Sequence, residues 1–310
     1  MIFNKIKWAP FALTLFTIPL VSSCSSNDEE EQQEVKRPIS VVVSENPMIE
    51  EESGSRITRA DDPTTTETLT SFKMMYQADA EIKTEYTAEK TGSPANWGLN
   101  DNNWPYGVAN GTLIDFYAYN AGVFNYNNGS PYVSFSEANN EAKNQVDLLV
   151  AKSNTSFNAH GGKVPLTFSH ACAAVQFIVF LNSNASETFE ITDIKLKNIK
   201  NKGDYYYSKE EGKEGEWKDI SWSTEWNGEG NASKRYYQLT DGNITPSKTE
   251  DKLLPCGWLF LIPQDKSGIS LSISYTKGGG KVETKEIALP TSTISEWKAG
   301  YSYTERIKIG

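Results

Sequence analysis

Short runs in which apolar side chains fall on every second residue dominate this chain. Near its end, Tyr301/Tyr303 and Ile307/Ile309 sit at alternate positions, so one face of an extended segment is apolar there. The run Leu113-Ile114-Asp115-Phe116-Tyr117-Ala118-Tyr119, β-branched and aromatic after a Gly/Asn-rich turn, predicts a strand. Further strands are predicted over 146–150, 164–168, 175–181, 191–199, 258–262 and 269–275. Gly278-Gly279-Gly280 divides 269–275 from 282–289 and predicts a hairpin. Ile39-Ser40-Val41-Val42-Val43 has strong β propensity and places Ile39, Val41 and Val43 on one face. No useful window repeats its apolar residues every 3.6 positions. Many short strands separated by Gly, Asn and Pro predict an all-β protein built from sandwiches.

The segment 153–163 is polar, with Asn154, Ser156, Asn158, Gly161 and Gly162, and strong strands flank it. A border between two domains is expected there, giving 39–155 and 160–310. The first domain is expected to open with a strand over 39–43 and an exposed polar loop over 44–62. The second is expected to carry a long decorated loop over 200–234, rich in Lys, Glu, Gly, Tyr and Trp without regular alternation.

Ahead of this body, Lys5 and Lys7 precede an almost uninterrupted apolar run from Trp8 to Leu20. A spanning helix needs about 20 apolar residues, so the run fits the core of an export signal better. It ends in Val21-Ser22-Ser23-Cys24, small residues before a cysteine, which resembles the lipobox of bacterial lipoproteins. That resemblance implies a signal peptide over 1–23, cleavage after Ser23, and acyl chains such as palmitate on Cys24. Each buried methylene contributes about 0.8 kcal/mol, so two or three chains anchor a protein firmly without a spanning helix.

Charge sharpens this picture. The net charge is −10, and residues 25–62 hold eleven Asp and Glu against four Lys and Arg. Ser25-Ser26-Asn27-Asp28-Glu29-Glu30-Glu31 is too polar to fold alone, so 24–38 is expected to be a solvated acidic tether. An acidic stretch just after a lipidated cysteine also resembles the surface-export signal of Bacteroidota lipoproteins. The rest of the chain is mildly acidic and has no basic stripe for nucleic acid.

Candidate chemistry is sparse. The two histidines are His160 and His170; beyond Cys24 the cysteines are Cys172 and Cys256. His170 and Cys172 share a face of one strand, which suits a thiol–imidazole pair on paper and two buried structural residues more simply. A bridge between Cys172 and Cys256 does not follow from two cysteines alone, and a buried free thiol is the commoner state. No phosphate loop, nucleophile elbow, dinucleotide fingerprint or zinc-ligand spacing occurs, so neither catalytic residues nor a metal or other cofactor are expected. Trp217, Trp222 and Trp226 cluster with Tyr205, Tyr206, Tyr207, Tyr236 and Tyr237 around the loop at 200–234. They either form a platform for a glycan or host protein or pack into a core.

Several stretches share their order and spacing with one family. They are Leu69-Thr70-Ser71-Phe72-Lys73-Met74, Trp104-Pro105, the run from Leu113 to Tyr119, and Asp147-Leu148-Leu149-Val150-Ala151. Downstream follow Val164-Pro165-Leu166-Thr167-Phe168-Ser169-His170-Ala171, Leu261-Ile262-Pro263-Gln264 and Trp297-Lys298-Ala299-Gly300-Tyr301-Ser302-Tyr303. Over 39–310 the chain resembles the fimbrillin-like (Mfa-like) lipoproteins of Bacteroidota, subunits of type V pili and their relatives. The resemblance implies two tandem transthyretin-like β-sandwich domains, attachment to the outer membrane, and assembly with other fimbrial subunits by strand exchange after proteolysis. Within 45–62 the basic residues are Arg56 and Arg59. Cleavage is expected at Arg59–Ala60, with Arg56–Ile57 as second choice, freeing the strand of Ile39, Val41 and Val43.

Two functions remain open on the sequence. One is an adhesive subunit of a surface fimbria; the other is a monomeric surface lipoprotein that binds glycan or host ligand through its aromatic cluster. Stalk subunits of the family extend beyond the strand that ends here at Ile309, so a tip-like or accessory, strand-accepting subunit is the expectation.

Overall fold

Alternation decides which residues turn inward. Along Lys163–His170, Val164, Leu166, Phe168 and His170 are buried while Lys163 and Thr167 face solvent. The computed structural model describes residues 37–51, 68–78, 81–82, 85–92, 96–99, 103–105, 108–137, 141, 144–210, 212–223, 236–240 and 242–310. Residues from 37 onward form one compact unit. Among the described residues the regular structure is almost all strand, with a 3-10 turn at Ala159–Gly162 and no α-helix.

The first sheet runs in the order Ser40–Glu45, Lys163–His170, Leu149–Thr155, Ile114–Tyr119, Ser71–Ala78, Tyr86–Thr91 and Asn96–Leu99, with Glu81–Ile82 also paired to Ser71–Ala78. It curls until its two end strands, Ser40–Glu45 and Asn96–Leu99, lie close together. Inside sit Ile39, Val41, Phe72, Met74, Trp97, Trp104, Phe116, Leu166 and Phe168. Aromatic contacts knit this core: Phe72 meets Trp97 and Phe168 with ring centres 4.9 and 5.1 Å apart.

A second core lies between two further sheets. One pairs Ala173–Leu181 with Tyr301–Ile309, Lys252–Leu253 and Leu259–Leu261, and adds Ile49–Glu51 at its edge. The other runs Tyr236–Gln238, Phe189–Lys197, Ser270–Lys277, Glu283–Ala288. Val175, Phe177 and Val179 from the first face Ile191, Ile194, Leu196, Leu271 and Ile273 from the second. The glycine hairpin forms as predicted, with Tyr275 opposite Glu283 and Gly278 and Gly279 at positive φ. The sandwich architecture expected from the alternation is therefore what the chain forms.

A third core joins halves of the chain that are far apart in sequence. Val123–Asn127 and Ser130–Ser136 pair with Lys202–Tyr206 and Glu216–Ser221 in one sheet. Val133, Phe135, Tyr205 and Tyr207 from it cover Tyr117, Tyr119, Val150, Cys172, Ala174 and Phe260. Hence Ile114–Tyr119 is buried on both faces.

Several expected loops are structured differently. The segment 153–163 turns within the first sheet, because Lys163–His170 pairs back onto Leu149 and Val150. The chain passes to the second core further on, after Ala171 and Cys172. Within 200–234, Lys202–Tyr206 and Glu216–Ser221 are strands, since Gly203, Tyr205 and Tyr207 alternate inward against the third core. The loop expected from 44 starts later: Ser44 and Glu45 remain in strand, and Ile49–Glu51 pairs again.

Candidate functional site: the seat of the first strand

Ser40–Glu45 lies parallel to Lys163–His170, from Ser40 opposite Lys163 to Glu45 opposite Phe168. Its other long edge faces Asn96–Leu99 without forming a ladder, so this strand fills the seam of the curled sheet. Ile39 and Val41 are buried in the core, and Val43 packs against its margin. Val42, on the opposite face, is 49% exposed. Each fully buried Ile or Val contributes roughly 1.5–3 kcal/mol, so the two inner side chains supply a large part of the strand's hold.

Polar contacts fix both ends. At the start, the Trp104 amide donates to the Arg37 carbonyl over 2.8 Å, and the Arg37 guanidinium reaches Asn110 Oδ1 and lies 5.0 Å over the Phe157 ring. Beyond the end, the Asn46 amide donates to the Phe168 carbonyl and its Nδ2 to Ser169 Oγ at 2.9 Å. The chain then crosses to the second core's sheet, where the Ile49 amide donates to the Gly300 carbonyl and Ile49–Glu51 runs parallel to Tyr301–Ile309. One short segment thus seals an edge of each sheet.

Glu45 closes the seat. His170 stands between two acids: its Nδ1 is 2.5 Å from Asp147 Oδ2 and its Nε2 is 3.0 Å from Glu45 Oε1. His170 and Asp147 are wholly inside, and Glu45 is partly buried. Burial by itself lowers the imidazole pKa, but the Asp147 and Glu45 carboxylates outweigh it and hold His170 above its ordinary 6.5. His170 is buried, as its strand position predicts, but neither acid is legible from the sequence as its partner. The available signal was phase: Glu45 continues the alternate positions of Ile39, Val41 and Val43.

The other candidates fall elsewhere. Trp217 faces the third core, edge-on to Tyr205 and Phe135, and its indole N–H donates to the Ala171 carbonyl over 2.6 Å. Tyr205, Tyr207 and Tyr237 are buried. Trp222 is 44% exposed, with Lys200 Nζ 5.9 Å from its ring centre. Trp226, Cys24, Arg56, Ile57, Arg59 and Ala60 lie outside the described residues, as do the signal peptide and most of the tether. No disulfide joins Cys172 to Cys256, and burial drives the Cys172 pKa well up, which keeps it protonated and inert. Among the described residues, no group of three or more His, Cys, Asp or Glu is arranged to hold a metal.

The chain belongs to the fimbrillin-like family, whose model matches residues 58–310. Membership of this family makes it a pilus-type subunit of the cell surface. Its fold is similar to that of a fimbrial protein from Bacteroides vulgatus ATCC 8482, at 18% identity over 87% of this chain and 95% of that one, with a TM-score of 0.56. A fimbrial assembly protein from Parabacteroides distasonis ATCC 8503 is similar over 79% of this chain and 85% of that one, at 12% identity and a TM-score of 0.42. No curated protein matches the chain.

Proposed function

We propose that this chain is a lipid-anchored fimbrial subunit that joins other subunits by donor-strand exchange and contributes to adhesion. In this reading export removes residues 1–23, Cys24 carries the lipid that holds the protein to the outer membrane, and the two sandwiches act as tandem domains. An arginine-specific cut at Arg59–Ala60, or failing that at Arg56–Ile57, severs Ser40–Glu45 from the body. The position of that strand carries the proposal: it lies at the end of its sheet, fills a seam, and belongs to the segment ahead of both arginines. Once removed, it leaves apolar surface and unpaired backbone along Lys163–His170, a template for a partner's strand. A tip or accessory place in the fibre completes the proposal.

The test is to treat the purified full-length protein with an arginine-specific protease and sequence the new N-terminus. A terminus at Ala60, followed by concentration-dependent oligomers, is the expected outcome. Cleaved protein that stays monomeric with candidate partners counts against strand exchange, and periodic immunogold labelling along the shaft counts against a tip or accessory place.

A further inference from the structure

Ile39, Val41, Val43 and Glu45 occupy alternate positions, so the face that enters the core ends on an acid instead of a fourth apolar residue. That acid meets a fixed receptor. Asp147 is fully buried, and its carbonyl accepts from Asn120 Nδ2 while Asn120 Oδ1 accepts from the Leu149 amide, both over 2.8 Å. Asp147 Oδ2 in turn holds His170 Nδ1. The imidazole is therefore aimed before any strand arrives, and its Nε2 points at the seat of the first strand.

We propose that the His170–Asp147 pair reads an acidic side chain in whichever strand occupies this seat: Glu45 of the chain itself, then an aspartate or glutamate at the same register in an incoming subunit's strand. This rests on the reading of Ser40–Glu45 as removable. The partner it selects is a strand with branched apolar residues at three alternate positions and an acid at the fourth.

The chemistry favours an acid over its neutral isosteres. A carboxylate accepting at each ring nitrogen favours the doubly protonated, cationic ring, while burial at the same time pushes the Asp147 carboxyl up from its ordinary range. The titratable groups facing it are Asp147, from the turn before Leu149–Thr155, and Glu45. Cys172, two residues further along the chain, stays protonated. A glutamine at the Glu45 position still accepts a hydrogen bond but brings no counter-charge, and an alanine leaves a buried N–H unpaired. A hydrogen bond to a charged group is worth about 10- to 100-fold in affinity.

The experiment uses the full-length protein, nicked by arginine-specific protease between the first strand and the body. It is offered fluorescent synthetic peptides of residues 37–51, either native or carrying Glu45→Gln, and uptake is followed by anisotropy. At about pH 6 the native peptide should displace the resident strand about 10- to 100-fold more effectively than the Gln peptide, and the gap should narrow as pH rises through the raised pKa of His170. The full-length His170→Gln variant should level the two peptides. Equal uptake of both by the unmodified protein overturns the acid-reading proposal and leaves strand removal standing; uptake of neither overturns both. Should His170→Gln fail to fold, the pH series on the unmodified protein decides, and a flat ratio overturns the proposal.

Discussion

Lys266 and Glu305 form an ion pair inside the second core: Nζ and Oε1 are 2.7 Å apart, and both side chains are almost fully buried. The Trp297 indole N–H donates to the same carboxylate oxygen over 2.9 Å. Removing one member of a buried pair strands the other charge, whereas removing both charges is far cheaper. Lys266→Met should therefore cost about 3–5 kcal/mol in urea unfolding. Adding Glu305→Gln should recover much of that, because the amide oxygen still accepts from Trp297. A double variant as unstable as the single one would refute this account.

The first strand offers a contrast between neighbours. Val41 is buried and Val42 is half exposed. Val41→Asp forces a charge into the core of the curled sheet and should detach the strand, seen as fast hydrogen exchange along Ser40–Glu45. Val42→Asp should change stability by no more than about 0.5 kcal/mol. Equal protection in the two variants would mean that burial of this face does not hold the strand.

Acidity should tune stability through His170. Its pKa in the folded protein lies above 6.5, so folding favours the protonated ring. The contribution is complete below about 6.5 and is lost as pH rises through the folded value. Melting curves of the unmodified protein and His170→Gln should thus differ most on the acid side of neutrality and converge in alkali. A difference independent of pH would show that His170 acts by shape alone.

Trp217 and Trp222 should behave as opposites. Trp217→Ala empties space beside Phe135 and Tyr205 and leaves the Ala171 carbonyl without its donor, at a cost of about 2–4 kcal/mol. Trp222→Ala should lie within about 0.5 kcal/mol of the unmodified protein. A folded Trp222→Ala protein that loses binding in a glycan array would revive the aromatic platform in reduced form.

What could be read from the sequence was whatever local alternation carries. Tyr301–Ile309, the Gly278–Gly280 hairpin and the strand ending at His170 announce themselves because their inward residues repeat every second position. Pairing between distant segments has no such local mark. Nothing near Tyr205 points to Val133, its partner across the ladder, so a pair of strands read as a decorated loop. Ile49–Glu51 is acidic, with an exposed isoleucine, yet it forms a strand because its backbone binds Tyr301–Ile309. Side-chain pattern is silent where backbone bonds alone make the strand. At the seat of the first strand, Ile39 and Val41 were legible by phase, whereas the Asp147–His170–Glu45 relay depends on three segments meeting in space.

Tyr301–Ile309, the last strand of the chain, lies between Ala173–Leu181 and Ile49–Glu51 and runs parallel to both. An inner strand supplied from so far along the sequence imposes an order of events on the polypeptide as it emerges. Ala173–Leu181 can already pair with Lys252–Leu253 and Leu259–Leu261, whereas Ile49–Glu51 can dock in this sheet only once Tyr301–Ile309 is made. Contacts that close such long stretches of chain form slowly, because the loop entropy is lost before the pairing repays it. Ile49–Glu51 is among the first described residues to be made and among the last able to dock. A chain halted short of Tyr301 would lack the strand against which Ile49–Glu51 docks.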